Sequence, residues 1–154
     1  RYLSTFEKRK SIVTKSGYVF QAVSLIPAMN AFQNVEFSMR LSGVKSPGER
    51  QERVEECLKM VGLGNRMTHM PAEMSGGEQQ RVAIARAFAH RPRLILADEP
   101  TAELDSAMAA EITRIFREMT RKEGITVVMT THDVGLMGAG DQIIELENGG
   151  RIYS

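Results

Sequence analysis

The stretch Leu94-Ile95-Leu96-Ala97-Asp98-Glu99 decides the fold. Its four consecutive apolar residues predict a strand covered on both faces, as in a parallel sheet packed between helices. The two carboxylates that follow predict a ligand site, because open α/β sheets bind ligands at the carboxyl ends of their strands. Phosphoryl transfer needs one carboxylate to hold Mg²⁺ and another to orient or deprotonate the attacking water, tasks that suit Asp98 and Glu99 respectively. The alternative is an ordinary strand followed by an acidic helix cap.

Two further strands are predicted on either side of this one. The β-branched run from Ile125 to Met129 is typical of a buried strand and ends at Thr130-Thr131-His132-Asp133. A histidine at a strand's carboxyl end is placed to donate to a phosphate oxygen, although a lone histidine is more often structural. Upstream, Gly17-Tyr18-Val19-Phe20 predicts a strand that ends at Gln21, a residue that carries little information alone.

The segment Met74-Ser75-Gly76-Gly77-Glu78 opens a predicted helix that runs to Ala89. Two glycines at a helix start let backbone N–H groups approach an anion, and the helix dipole favours negative charge there. The alternative is a common capping box, in which Ser75 caps the helix and Glu78 bonds back to it.

Other segments complete an alternation of helices and strands, which indicates a parallel sheet with covering helices. Helices are predicted from Ala31 to Leu41, from Pro47 to Val61 and from an N-cap at Ser106 to Gly124, and a closing hairpin is predicted from Ile143 to Tyr153.

The composition of the 154 residues excludes several classes of protein. With 42% hydrophobic and 25% charged residues, the chain is not typical of a disordered protein. Lys and Arg number 20 against 19 Asp and Glu, so there is no electrostatic footprint for nucleic acid or an anionic membrane. The single Cys57 excludes an internal disulfide and a CxxC metal site. No apolar run approaches the roughly 18 residues of a membrane span.

The order of these motifs resembles that of the ATP-binding cassette (ABC) ATPases. Gln21, Ser75-Gly76-Gly77, Asp98-Glu99, Leu104-Asp105 and His132 match the family's Q-loop, signature, Walker B, D-loop and H-loop in turn. The resemblance extends from about Gly17 to Tyr153. It implies an α/β fold of the P-loop NTPase kind, with a mostly parallel sheet and an inserted all-helical sub-domain. It divides the chain into a strand leading to the Q-loop (1–21), the helical sub-domain (22–72) and the remaining core (73–154).

The resemblance also implies roles for residues around ATP and Mg²⁺. Asp98 would support Mg²⁺, Glu99 would be the general base and His132 would contact the γ-phosphate. Gln21 would contact Mg²⁺ or the attacking water and sense a membrane subunit.

A second group is implied to act across a dimer of ATPase subunits. Ser75, Gly76, Gly77 and Glu78 would bind the γ-phosphate of a nucleotide held mainly by the other subunit. Asp105 would couple the two sites.

Within the family, two segments are similar to those of the branch that serves lipoprotein release, macrolide export and cell division. They are Tyr18-Val19-Phe20-Gln21 and the stretch from Ser75 to Ala87. Membership implies a second ABC ATPase subunit and a transmembrane permease as partners, and a cytoplasmic location on the inner face of the membrane. Nucleic acid is not an expected partner.

The serious departure is that the sequence contains no G-x-x-x-x-G-K-[ST] motif, which cradles phosphate and in this family precedes the Q-loop. We expect a chain truncated before the Q-loop, lacking Walker A and the antiparallel β sub-domain and inactive alone, from a parent that hydrolyses ATP. The alternative is a non-catalytic module that supplies its signature motif to a partner ATPase.

Overall fold

The computed structural model describes residues 15–133, 138, 140–147 and 150–152. Its strands are β1 (Ser16–Val19), β2 (Leu94–Asp98), β3 (Thr126–Thr130), β4 (Glu145–Glu147) and β5 (Gly150–Ile152). Its α-helices are α1 (Ala31–Leu41), α2 (Pro47–Met60), α3 (Gly76–Ala89) and α4 (Ser106–Glu123), with a short 3₁₀ helix at Pro71–Glu73. The turn of the predicted hairpin at 148–149 and its last residue, 153, lie outside the described residues.

The central sheet has the order β1-β2-β3, and both pairs of strands are parallel. Val19 pairs with Ala97, and Ala97 pairs with Met129. The predicted α/β fold with a parallel sheet is therefore confirmed. The hairpin at the end of the chain is formed by β4 and β5, which are antiparallel.

The prediction that β2 is covered on both faces is wrong for the part of the chain that the structure describes. Ile95 and Ala97 are buried, but Leu96 between them is 37% exposed. Leu96 pairs with Tyr18 on one side and Val128 on the other, and both are also exposed. An apolar run fixes what a strand is able to bury, whereas the elements packed around it fix which face is covered.

The helix starts are capped by polar side chains that the sequence makes available. Asn30 and Gln33 form a capping box at α1, and the Ser46 hydroxyl accepts from the Glu49 N–H at α2. The N-cap of α4 is Asp105 and not Ser106, because the Asp105 carboxylate reaches two free N–H groups of the first turn. The other end of α4 is the predicted one, at Gly124 with φ of +64°.

Helix α3 lies at the centre of the packing and is mostly buried. Gly17 of β1 approaches it so closely that a Cβ there would collide with the Ala87 carbonyl oxygen. Phe88 of α3 packs on Phe116 of α4, with ring centroids 6.0 Å apart. The same helix also contacts α1 and α2, so it connects these two helices to the sheet.

No helix in the described part of the chain is both long enough and apolar enough to cross a membrane.

Candidate functional site

Three strand ends meet at one edge of the sheet. Because Val19, Ala97 and Met129 are in register, the residues two positions further on, Gln21, Glu99 and Thr131, follow at the same carboxyl edge. The structure therefore brings the ends of the predicted Walker B and H-loop strands side by side, with the Q-loop strand next to them. This is the edge at which open α/β sheets bind ligands.

Thr130, a residue that the sequence analysis did not single out, ties the two carboxylate residues together. Its hydroxyl donates to Asp98 Oδ1 at 2.6 Å and accepts from the Glu99 N–H at 3.1 Å. Its carbonyl accepts from the same N–H at 3.2 Å. The available signal was positional: Thr130 ends its strand directly opposite Asp98.

Glu99 and His132 are in direct contact through Glu99 Oε2 and His132 Nδ1. The carboxylate is partly shielded, with 28% of the side chain exposed, while the imidazole is 74% exposed. A carboxylate in this position is able to accept a proton from a nearby water, and its contact with Nδ1 fixes the orientation of the ring. The other ring nitrogen, Nε2, is a donor only in the imidazolium form.

An open cleft of about 420 Å³ adjoins this pair. It is lined by Glu99, Thr101, Ala102, Leu104, Thr131, His132 and Asp133. The cleft thus lies between two loops, one after β2 and one after β3. Of the residues predicted at these strand ends, Glu99 and His132 line it, and Asp98 is not among the lining residues.

Gln21 is exposed and is not among the described residues that line the cleft. The loop that follows it is held from α3 by Arg86, which donates to the Ser24 carbonyl at 2.8 Å and to the Ser24 hydroxyl at 3.3 Å. Buried Asn34 of α1 holds the same loop further on, accepting from the Ile26 N–H at 2.8 Å and donating to the Met29 carbonyl at 2.8 Å. Neither role is visible in the sequence, because each depends on a contact outside the local pattern.

The start of α3 has the capping box that the sequence offered as an alternative. Ser75 Oγ accepts from the Glu78 N–H at 3.3 Å, and the Glu78 carboxylate accepts from the Ser75 N–H at 2.9 Å. That backbone bond, with Arg66 nearby, lowers the pKa of Glu78 against a smaller opposing effect of burial. Gly76 is exposed with open space around its α-carbon, which leaves the helix start accessible to a ligand.

Gly77 brings the start of α3 against the start of α4. A Cβ at Gly77 would collide with the end of the Met108 side chain. Met108 lies in the first turn of α4, where its N–H and that of Ala107 both donate to Asp105 Oδ1 at 3.0 Å. The predicted signature residues and Asp105 therefore lie at two adjacent helix starts, although the Asp105 carboxylate is engaged in capping.

Among the residues described, no group of three or more His, Cys, Asp or Glu side chains forms a metal cage. Asp98 is exposed at the carboxyl edge of the sheet, and one of its carboxylate oxygens accepts a hydrogen bond from the Thr130 hydroxyl. A single oxygen ligand of this kind fits Mg²⁺, which is commonly held by one or two carboxylates together with substrate phosphates.

The family model described as "ABC transporter" matches residues 2–102. The chain belongs to the ABC transporter ATPase family. It is 46% identical over 138 residues to the ABC transporter ATP-binding protein MJ0796 of Methanocaldococcus jannaschii, covering 88% of this chain and 59% of that protein. It is 44% identical over 133 residues to the lipoprotein-releasing system ATP-binding protein LolD 2 of Caulobacter vibrioides, covering 86% of this chain and 58% of that protein.

Solved ABC structures share the fold. A dimeric structure of the cassette MJ0796 in a post-hydrolysis state, bound to ADP and Pi, matches 96% of this chain at a TM-score of 0.81 and 43% identity. A second dimeric structure of MJ0796 matches the same share at a TM-score of 0.82. This ABC chain spans about 65% of those solved chains and under three fifths of the curated relatives named above. The P-loop NTPase type of fold predicted from the motifs is thereby confirmed.

Proposed function

We propose that this chain is the catalytic portion of the ATP-binding subunit of an ABC transporter, which hydrolyses ATP at the edge formed by β2 and β3. One observation carries the proposal: Thr130 binds Asp98 and Glu99 at once, while Glu99 contacts His132 beside an open cleft that both residues line. This arrangement supports the proposal because phosphoryl transfer to water uses a carboxylate for the metal, a base for the water and a donor for the phosphate. Asp98, Glu99 and His132, at two adjacent strand ends, have the side chains for these roles.

In the proposed reaction, Glu99 accepts a proton from the attacking water. His132, held by Glu99 through Nδ1, donates as the imidazolium from Nε2 to a γ-phosphate oxygen. Gln21 completes the site from the neighbouring strand end. Asp98 would hold Mg²⁺, and that ion would supply neutralisation of the charge on the phosphates. The Thr130 hydroxyl keeps the Asp98 carboxylate and the Glu99 backbone at a fixed separation.

The accessible start of α3 supports a second part of the proposal. Ser75, Gly76 and Gly77, with Glu78 as the cap that fixes them, would receive the γ-phosphate of a nucleotide on another ABC subunit, and Asp105 would link the two sites. The dimeric state of the MJ0796 cassette supports such a pairing. Binding at this helix start would use free N–H groups and the helix dipole.

The region of residues 22–72 is proposed to receive a transmembrane permease on the cytoplasmic side, and residues 1–21 and 73–154 to form the ATPase core. The loop after Gln21 is held by Arg86 of α3 and Asn34 of α1, so it connects the core to the helices. A displacement of this loop would therefore reach α3, whose N-cap is Ser75.

The experiment is Glu99→Gln in the full-length product of the coding sequence, including any residues encoded before Arg1. We expect kcat for phosphate release to fall by about 10²–10⁴ because the base is lost, with ATP binding retained. Glu118→Gln, an exposed change on α4, is the matched control and should leave kcat unchanged. Normal turnover by Glu99→Gln would refute the assignment.

One observation favours a second candidate, a non-catalytic module that completes a partner ATPase. The 154 residues contain no Gly-Lys phosphate loop, while they retain the capped, accessible helix start. The codons upstream of Arg1 separate the two candidates. An in-frame G-x-x-x-x-G-K-[ST] supports the enzyme, and a start codon directly before Arg1 supports the module.

A further inference from the structure

We infer that Gln80, in the second turn of α3, is a positioning residue that holds the turn after β2 so that the Glu99 carboxylate stays against His132. The inference rests on the proposed function, because it takes Glu99 as the base. It connects α3, the helix that begins within the signature motif, directly to the turn after β2 in the same chain. That turn contains Glu99 and is called the catalytic turn below.

The first observation is the contact itself. Gln80 is only 2% exposed, and its Nε2 donates to the Pro100 carbonyl oxygen at 2.7 Å. Its other amide atom, Oε1, is buried and has no hydrogen-bond partner among the described residues. A buried amide with one unpaired oxygen costs free energy, so it is a poor device for stability alone.

The second observation is the backbone that this contact holds. Glu99 has a φ of +45°, a conformation that few residues other than glycine adopt. It also precedes Pro100, and a following proline ordinarily favours extended backbone. Such a conformation persists only where its surroundings impose it.

Three sets of hydrogen bonds impose it here. Thr130 accepts from the Glu99 N–H, and the Glu99 carbonyl accepts from the Ala102 N–H at 3.2 Å. The third is the bond from Gln80 to the Pro100 carbonyl, and it reaches the turn from another element. Without it, the carbonyl that follows Glu99 loses its anchor, and the base is free to leave His132.

The position of Gln80 connects the signature motif to the catalytic turn. Gln80 lies five residues after Ser75 on the same helix, about 7 Å along its axis. A helix moves as a rigid element over that distance, so a displacement of its ligand-binding start shifts the Pro100 carbonyl as well. Occupation of the signature motif would thereby adjust the base of the same chain.

The test is Gln80→Met in the full-length ATPase, a change of similar volume that removes both the donor and the unpaired oxygen. We expect kcat to fall at least tenfold, KM for ATP to stay within twofold and the urea unfolding midpoint to be unchanged. Gln79→Met is the matched control: Gln79 donates to the Pro71 and Met74 carbonyls, away from the catalytic turn. It should retain wild-type kcat.

A second variant separates positioning from stability. Gln80→Ala removes the donor and leaves a cavity, so it should lose kcat as Gln80→Met does while unfolding at lower urea. If kcat instead follows the unfolding midpoint across the variants, or if Gln80→Met raises KM at normal kcat, the inference is overturned. An inactive Glu99→Gln beside a fully active Gln80→Met overturns this inference alone, whereas an active Glu99→Gln overturns the proposed function.

Discussion

The helical region, α1 to α3, and the three-stranded sheet differ in how completely they bury their apolar side chains. Val35 of α1 and Leu58 of α2 have no exposed surface. On the sheet, Leu96 and Val128 are 37% and 52% exposed in register with one another. Within the described residues, both regions contribute to one buried core, and the sheet presents only one of its faces to it. The candidate site lies at the edge of the less covered region, where polar contacts and not packing set the geometry.

Arg53 of α2, which is 4% exposed, joins the helical region to α4, the helix that precedes β3. Its guanidinium donates to the carbonyls of Phe88 and Ala89 at the end of α3, each at 3.1 Å. It also donates to Glu123 at the end of α4 at 2.7 Å. Because one side chain bonds to the ends of both α3 and α4, the connection between the helical region and α4 depends on a buried charge.

Arg53→Leu should therefore have the largest effect on stability. Removing the cation leaves the Glu123 carboxylate and two helix-end carbonyls without their donor, at a cost of about 3–5 kcal/mol in the free energy of unfolding. Urea unfolding measures it. Arg114→Leu, which breaks the exposed pair with Glu118, should cost less than about 0.5 kcal/mol. Equal losses in the free energy of unfolding for the two variants would show that the buried bonds of Arg53 stabilise the fold no more than an exposed ion pair does.

The same substitution in the two regions compares them directly. Leu58→Ala opens a cavity in the buried core and should cost about 2–5 kcal/mol. Leu96→Ala removes a side chain that is already 37% exposed, so we expect a loss of about 1 kcal/mol or less. Urea unfolding midpoints of both variants, at the same slope, test the difference. A larger loss for Leu96→Ala would mean that its face of the sheet is covered in the folded protein.

Local sequence signals predicted the helices closely, because caps and apolar spacing act within a few residues. Helix α1 has the predicted bounds, Ala31–Leu41, and α2 ends at Met60, one residue before the predicted Val61. The order of motifs predicted the strand ends that form the site, since parallel strands place their carboxyl ends together.

The residues that hold the site in place were not predictable in the same way. Gln80 bonds to a carbonyl 20 positions away, Arg86 to one 62 positions away, and Thr130 to an N–H 31 positions away. Each is an ordinary polar residue in its local pattern, and only the fold shows its partner. The coverage of β2 was missed for a related reason, because burial of a strand depends on distant elements.

The salt bridges around Glu56 should make the free energy of unfolding depend on pH in the acid range. Lys122 and then Arg53 lower the pKa of Glu56 from 4.5 to about 2. The folded-state pKa lies below the unfolded one, so this contribution is complete above about pH 4.5 and is lost as the pH falls towards 2. Because 38% of the side chain is exposed, we expect only about 1 kcal/mol. The difference in unfolding free energy between wild type and Glu56→Gln should shrink over that range, and a difference independent of pH would contradict the assignment.

Thiol labelling offers a probe of the two regions that leaves their stability almost untouched. Cys57 is fully buried in α2, and burial raises the pKa of its thiol to about 12. A thiol that is both inaccessible and protonated should react with an aromatic disulfide reagent at pH 8 only when the helical region opens. In Val128→Cys, the new thiol lies on the exposed face of the sheet and should react at least about 100-fold faster than Cys57. Similar labelling rates for both thiols would show that Cys57 is reached by the reagent as readily as a thiol on the sheet surface. The difference in burial between the helices and the exposed face of the sheet would then not hold in solution.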